Sequence, residues 1–256
     1  TPNGEVSRFA AGSSVNMLRA FTSLGIPKNS DGNTPKMFVV MPLDSESPNG
    51  SFLVKAVREM GGEPVVILAD RTPITLALRE RGETTLFCVK PGYHFEPEKV
   101  ENLLPAQIDF AVLTGIKAED IPLSRLIRGR ANLFAVMPHR SVLSKESSMR
   151  SMLLEVTSRA VLMQVNEAEA EVLCGDTITR ANVSRILTDL GVRRLVVTHG
   201  ENGASLYVDH QAFQNGSGVR NPVDTVGAGD AHFASLLYFR HFAHPPLQEE
   251  NQPRHD

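Results

Sequence analysis

Residues Asp224–Asp230, read as DTVGAGD, place two glycines and an alanine between two carboxylates, directly before the apolar run Ala231–Phe239. That run reads as a buried helix, so the small residues fall at its start. A helix start carries backbone N–H groups with no partner inside the helix, and its dipole adds positive potential there. Small side chains let an anion approach those groups closely, which suits a phosphate. Asp230 falls in the same first turn, where a carboxylate beside an anion could take the proton of an attacking hydroxyl. The chemistry that these residue types and spacings describe is phosphoryl transfer to an alcohol. The plainer alternative is a helix start with an ordinary Asp near its cap.

The heptad resembles the DTxGAGD signature of the ribokinase/PfkB-type carbohydrate kinases, in order and in its place before a long apolar helix. The resemblance implies ATP-dependent phosphorylation of a sugar or sugar-like alcohol. In that reading Asp230 is the general base, and the backbone N–H groups of Gly227, Ala228 and Gly229 form the anion hole. Ala11–Asn16 is similar to the family's GGxxxN sugar-binding turn, with Ala11 in place of the first glycine. There Gly12 lets the chain bend close to a ligand and Asn16 offers its amide to sugar hydroxyls. An N-cap by Ser13 or Ser14 is the other reading.

Asn166–Glu169 resembles the NxxE motif. Residues at i and i+3 share a helix face, so the amide of Asn166 and the carboxylate of Glu169 would orient water around Mg²⁺. Helix capping by the same pair is compatible with that role. Glu167 and Glu171 read as solvated helix acids. Val197–Ala204 looks like the nucleotide-side turn VTxGxxG. The resemblance assigns Thr198, Gly200 and Gly203, together with Thr225, to ATP; a glycine-containing turn between strands is the alternative. His199 reads as a variable position and not a catalyst. Asp224 and Thr225 would position the loop, and in relatives that stretch lies near a monovalent cation.

The chain departs from the pattern in places. Ser235 stands where the family has Ala or Gly. Met137–Arg140 lacks the Asp of a DPNxR-like turn, and Arg140 reads as a surface cation. Asp44 and Gly50 are given no role. The resemblance spans about Gly4 to Phe242. It implies a first strand with a substrate-binding Asp ahead of Thr1 and further helices after the last confident one, so the sequence is expected to be an incomplete record of a longer chain. The other reading is a fragment lacking part of both pockets. The motifs leave open which sugar is used. A nucleoside or vitamin kinase of the same fold and a catalytically silent sugar-binding homologue are the alternatives.

The elements that must position these residues follow from periodicity. Short apolar runs at 37–40, 65–68, 110–113, 133–136, 160–163 and 195–198 read as buried strands. Helical patterns lie at 14–24, 50–60, 97–104, 144–158, 167–174 and 178–190. Strands alternating with helices imply an α/β fold with a mostly parallel sheet covered on both faces. With the resemblance, the expected architecture is a ribokinase-like three-layer sandwich, a single domain over 1–256. The exception is 74–79 and 84–89 around Glu80–Glu83, which reads as a β-hairpin. The resemblance makes it part of a small β-lid near 74–95 over the sugar site; an edge hairpin of the main sheet is the alternative.

The chain's 256 residues, 41% hydrophobic and 21% charged, suit one substantial α/β domain. A net charge of −3 without a basic tract argues against nucleic-acid or polybasic membrane partners. The two cysteines, Cys88 and Cys174, have no CxxC spacing and read as buried or incidental thiols of a reducing compartment. No apolar run reaches the length of a membrane span and no signal peptide is read at Thr1, so a cytoplasmic enzyme is expected. Eight histidines form no zinc pattern. Expected ligands are a small sugar, ATP, Mg²⁺ and a monovalent cation, and lid pairing suggests a homodimer.

Overall fold

A computed structural model describes residues 10–26, 34–80, 83–89, 96–143, 147–175, 177–208, 211–218 and 227–240. In chain order the elements are α1 (Ser13–Leu24), β1 (Met37–Leu43), α2 (Pro48–Glu59), β2 (Gly62–Leu68), β3 (Ile74–Glu80), β4 (Glu83–Val89), α3 (Pro97–Glu101), β5 (Ile108–Ile116), α4 (Ile121–Arg130), β6 (Ala131–Pro138), α5 (Ser147–Thr157), β7 (Leu162–Asn166), α6 (Glu167–Cys174), α7 (Arg180–Leu190), β8 (Arg194–Thr198), β9 (Ala204–Val208), β10 (Gln211–Asn215) and α8 (Ala228–Tyr238). The chain divides into two compact units, one of residues 1–94 with 230–256 and one of residues 95–229.

In the first unit β1 and β2 run parallel, with Met37 opposite Gly62 and Leu43 opposite Leu68. Parallel neighbours need a crossover, and α2 supplies it. Ser47 caps α2 by accepting from the Gly50 N–H at 3.0 Å, and the hydroxyls of Ser47 and Thr72 both donate to the Asp44 carbonyl. The Asp44 carboxylate also serves the turn, accepting from the Glu46 N–H at 3.1 Å. Val15 and Leu18, one turn apart on α1, pack with Val39, Met41 and Leu43 of β1 and Val57 of α2. Val15 and Leu18 thereby turn one face of α1 inward, and the same helix carries Asn16. β3 and β4 form their own antiparallel pair, from Ile74 opposite Val89 to Glu80 opposite Glu83. Among the described residues they join no other strand, so the hairpin is not an edge of the larger sheet.

The second unit holds a six-stranded sheet in the order β10-β9-β8-β7-β6-β5. β5 to β8 are parallel; β9 and β10 are antiparallel additions. Val136, Met163, Val165, Leu195 and Val197 from the strands pack with Leu153, Val156, Ile186 and Leu190 from α5 and α7. Each such aliphatic side chain, fully buried, contributes about 1.5–3 kcal/mol against exposure. This core fixes β7 and β8, whose carboxyl ends carry the candidate residues of this unit.

Several expected boundaries move, two of them for a definite reason. The strand read at 160–163 is β7 at Leu162–Asn166, because Arg159 takes φ 71 and Ala160 donates back to the Thr157 carbonyl at 2.8 Å. The turn therefore runs two residues further than the apolar run suggests. The helix read to residue 104 stops at Glu101. Arg130 captures the carbonyls of Glu101, Leu104 and Pro105 and ends it. Cys174 is a buried thiol whose burial pushes its pKa up. Among the described residues no helix is long and apolar enough to cross a membrane.

Candidate active site

Asp230 is the third residue of α8, and Gly227 immediately precedes that helix. Gly227 takes φ 81, a left-handed conformation that costs any other residue about 1–2 kcal/mol, so the entry to the helix is written for glycine. Asp224, Thr225 and Val226 lie outside the described residues. Behind the first turn the helix is packed: Phe233, Ala234 and Leu237 are fully buried. Ser235 needs no outside partner, because its hydroxyl donates to the Ala231 carbonyl at 2.8 Å. The apolar run thus anchors α8 by residues beyond its first turn, and Asp230 stays half-buried.

Asp230 has a hydrogen-bond partner 214 positions away in sequence. Asn16 donates from Nδ2 to the Asp230 carboxylate at 2.8 Å. Arg19 donates from Nη1 to Asn16 Oδ1 at 3.3 Å and from Nη2 to the Ala10 carbonyl at 2.6 Å. The amide is held at both ends, and it aims the carboxylate without neutralising it. Gly12 is the N-cap of α1, with φ 114 and no side-chain cap, so neither Ser13 nor Ser14 caps the helix. Two residues expected on the substrate side, Asn16 and Asp230, are therefore in direct contact, and Asn16 acts on the carboxylate itself. Arg19 joins them one helical turn on. Its i+3 spacing from Asn16 was visible in the sequence, but nothing in the sequence set it apart from other surface arginines.

In the other unit, Asn166 ends β7 and caps α6. Its Oδ1 accepts from the Glu169 N–H at 2.9 Å, and Glu169 Oε2 accepts from the Asn166 N–H at 2.9 Å. This reciprocal box is worth about 1 kcal/mol or more to the helix start. Burial pushes the Glu169 carboxyl up; the Asn166 N–H and the charge of Arg140 pull it back. Arg140, exposed in a short 3-10 turn, is thus an electrostatic neighbour of Glu169, a role the sequence did not suggest. The box uses Asn166 Oδ1 and Glu169 Oε2, which leaves Glu169 Oε1 to accept from a metal-bound water. Among the described residues no group of three or more His, Cys, Asp or Glu could hold a metal.

Thr198 sits beside Asn166 in the parallel register of β7 and β8 and opposite Ala204 of β9. Both lie at carboxyl ends of parallel strands, where open α/β sheets bind ligands. The turn that follows is tightly tied. The His199 N–H donates to the Gly203 carbonyl at 2.8 Å, His199 Nε2 lies 2.8 Å from Ser205 Oγ, and Nδ1 lies 3.3 Å from Glu167 Oε1. His199 is a strut between α6 and β9, and Glu167 is its partner more than a free surface acid. Gly203, at φ 92, has its own structural reason: a Cβ there would stand 2.0 Å from the Asn215 carbonyl. Gly200 faces open space, where a Cβ would meet nothing within 4 Å.

One further polar residue meets Gly229 at the start of α8. Gln164, on β7 two residues before Asn166, is 2% exposed. Its Nε2 donates to the Gly229 carbonyl at 2.8 Å and lies 3.7 Å from Met137 Sδ. A buried amide left unpaired costs about 1–3 kcal/mol, so the pairing matters. A polar residue inside an otherwise apolar strand was the sequence signal for it.

Comparison with known proteins identifies the family and the fold. A sequence profile described as "pfkB family carbohydrate kinase" matches residues 2–241. A curated relative, fructokinase-2 of Oryza sativa subsp. japonica, is 36% identical over 94 residues; the match covers 36% of this chain and 27% of that protein's length. Phosphofructokinase-2 from Escherichia coli, solved with substrates and products, superposes with a TM-score of 0.67 at 20% identity, over 93% of this chain and 79% of that one. Adenosine kinase from Sinorhizobium meliloti superposes with a TM-score of 0.74 at 18% identity, over 96% and 75%. At these identities the superpositions speak for a ribokinase-like α/β fold.

Proposed function

The chain belongs to the pfkB family of carbohydrate kinases, and from that premise we propose that it transfers the γ-phosphoryl group of ATP to a hydroxyl of a sugar or sugar-like alcohol. The observation that carries the reading is the Asn16–Asp230 hydrogen bond of 2.8 Å at the start of α8. It joins the residue offered to a sugar with the residue offered as base. Asp230 accepts the proton of the attacking hydroxyl while the O–P bond forms and the bond to ADP breaks. The N–H groups of Gly227, Ala228 and Gly229 take the charge that develops on the transferred group, the contribution that most favours the transition state.

Thr198, Gly200, Gly203 and Thr225 are assigned to the nucleotide. Asn166 and Glu169 would hold Mg²⁺ through its waters, and the ion, when bound, neutralises phosphate charge. A solved Escherichia coli neighbour of the same fold, in complex with ATP and Mg²⁺, supports that choice of cofactors. The β3–β4 hairpin is proposed as a lid that keeps water from competing for the phosphoryl group, and as a surface for pairing two copies.

The test is ADP release in the presence of fructose, fructose 6-phosphate, ribose and adenosine, with Mg²⁺ and pH varied. One alcohol is expected to stimulate release well above the rate with ATP alone. Stimulation by none of them, with ATP and sugar still bound, supports a silent homologue instead. The pH dependence has a definite sign. The raised pKa keeps Glu169 protonated to a higher pH than an ordinary glutamate. Its oxygen becomes available to metal-bound water as pH climbs through that raised value. The Mg²⁺ concentration for half-maximal rate should therefore fall with rising pH, and Glu169→Gln should abolish the trend.

A further inference from the structure

We infer that Gln164 is a positioning residue for phosphoryl transfer, acting through the peptide between Gly229 and Asp230; the inference rests on the reading that the start of α8 holds the transferred phosphate. Gln164 lies in β7 between Met163 and Val165, both essentially inaccessible to solvent. Packing alone would favour an apolar side chain of similar size at this place. The amide is kept where its Nε2 meets the Gly229 carbonyl at 2.8 Å. Helical geometry already directs one N–H to that carbonyl, from four residues on. Gln164 occupies its second lone pair, so the carbonyl is fixed from two directions.

The consequence is transmitted by covalent geometry. The Gly229 carbonyl and the Asp230 N–H belong to one rigid planar unit and point in opposite directions. Holding the oxygen therefore aims the N–H. That N–H sits at the third position of α8, among the first-turn donors with no acceptor inside the helix. Hydrogen bonding to the carbonyl also draws electron density toward oxygen and makes the opposite N–H a stronger donor. Gln164 thus adds the Asp230 amide to the donors of Gly227, Ala228 and Gly229. It also steadies the Cα from which the Asp230 carboxylate extends. It touches neither substrate nor nucleotide in this role.

The test compares Gln164→Met, which keeps volume and loses the donor, with Gln164→Glu, which keeps shape. Gln164→Met is expected to keep its melting temperature within a few degrees of wild type. Its kcat should fall on the order of ten- to a hundredfold, with the KM for the alcohol within about twofold, because the lost alignment serves the transition state. Hydrogen exchange at the Asp230 amide should accelerate. In Gln164→Glu the carboxylate faces a carbonyl at neutral pH, whereas its protonated form can donate. The ratio of its kcat to that of wild type should therefore rise as pH is lowered, a trend no packing defect produces. An active wild type with Gln164→Met at full kcat overturns the inference and leaves the kinase reading intact. A wild type that turns over no alcohol overturns the kinase reading. The exchange arm then decides for Gln164, and an unchanged Asp230 amide in Gln164→Met refutes the clamp.

Discussion

Asp230→Asn is expected to lower kcat by about 10²–10⁴-fold, the range that general-base catalysis supplies, while the KM for the alcohol changes only a few-fold. The substitution is nearly isosteric. Its side-chain oxygen can still accept from Asn16 Nδ2, the bond of 2.8 Å that ties α1 to α8 in the wild type. The burial of Phe233, Ala234 and Leu237 behind the first turn is untouched. What disappears is the ability to take a proton from the attacking hydroxyl. Steady-state kinetics on the alcohol found by the substrate panel, with a thermal melt as control, measures this. Turnover within about threefold of wild type would place the base elsewhere.

Ala228→Pro should cost on the order of 10²–10³-fold in kcat, as expected for removing one donor aimed at developing charge. Ala228 is the first residue of α8. Proline is favoured at that position because its missing N–H has no partner inside the helix and its φ suits a helix start. Gly227 before it has no Cβ to crowd the ring. The substitution therefore deletes a hydrogen-bond donor from the backbone with little expected loss of stability, and the melt should stay near wild type. A stable Ala228→Pro protein with wild-type kcat would show that this N–H does not face the phosphoryl group. The two variants separate proton transfer from charge stabilisation. Asp230→Asn should change the shape of the pH–rate profile, because the group that takes the proton is gone, whereas Ala228→Pro should scale the whole profile down.

Much of the fold was legible because the core strands announce themselves. Val136, Met163, Val165, Leu195 and Val197 are apolar in sequence and buried in structure. The hairpin of β3 and β4 was legible from its alternation and its turn. β10 was not. Gln-Ala-Phe-Gln-Asn is exposed along its whole length, so no apolar face marks it, and only pairing to β9 makes it a strand. The same blindness hid the steric reason for Gly203, which depends on the exit of β10. Asn166 and Glu169 were legible as a motif because i and i+3 are local. Asn16 and Asp230 were legible singly, each within its own motif, but their contact across 214 positions is a product of packing. Gln164 carried a weak signal, one amide in an apolar strand, whose meaning lies in a carbonyl 65 positions away.

A crystal structure of the protein with ADP, aluminium fluoride as the phosphoryl mimic and the alcohol that stimulates ADP release tests the central claim most directly. The account predicts the fluoride within hydrogen-bond reach of the Gly227, Ala228 and Gly229 amides, with the attacking hydroxyl against the Asp230 carboxylate. Fluoride bound elsewhere, with those amides paired to main-chain carbonyls, would contradict it.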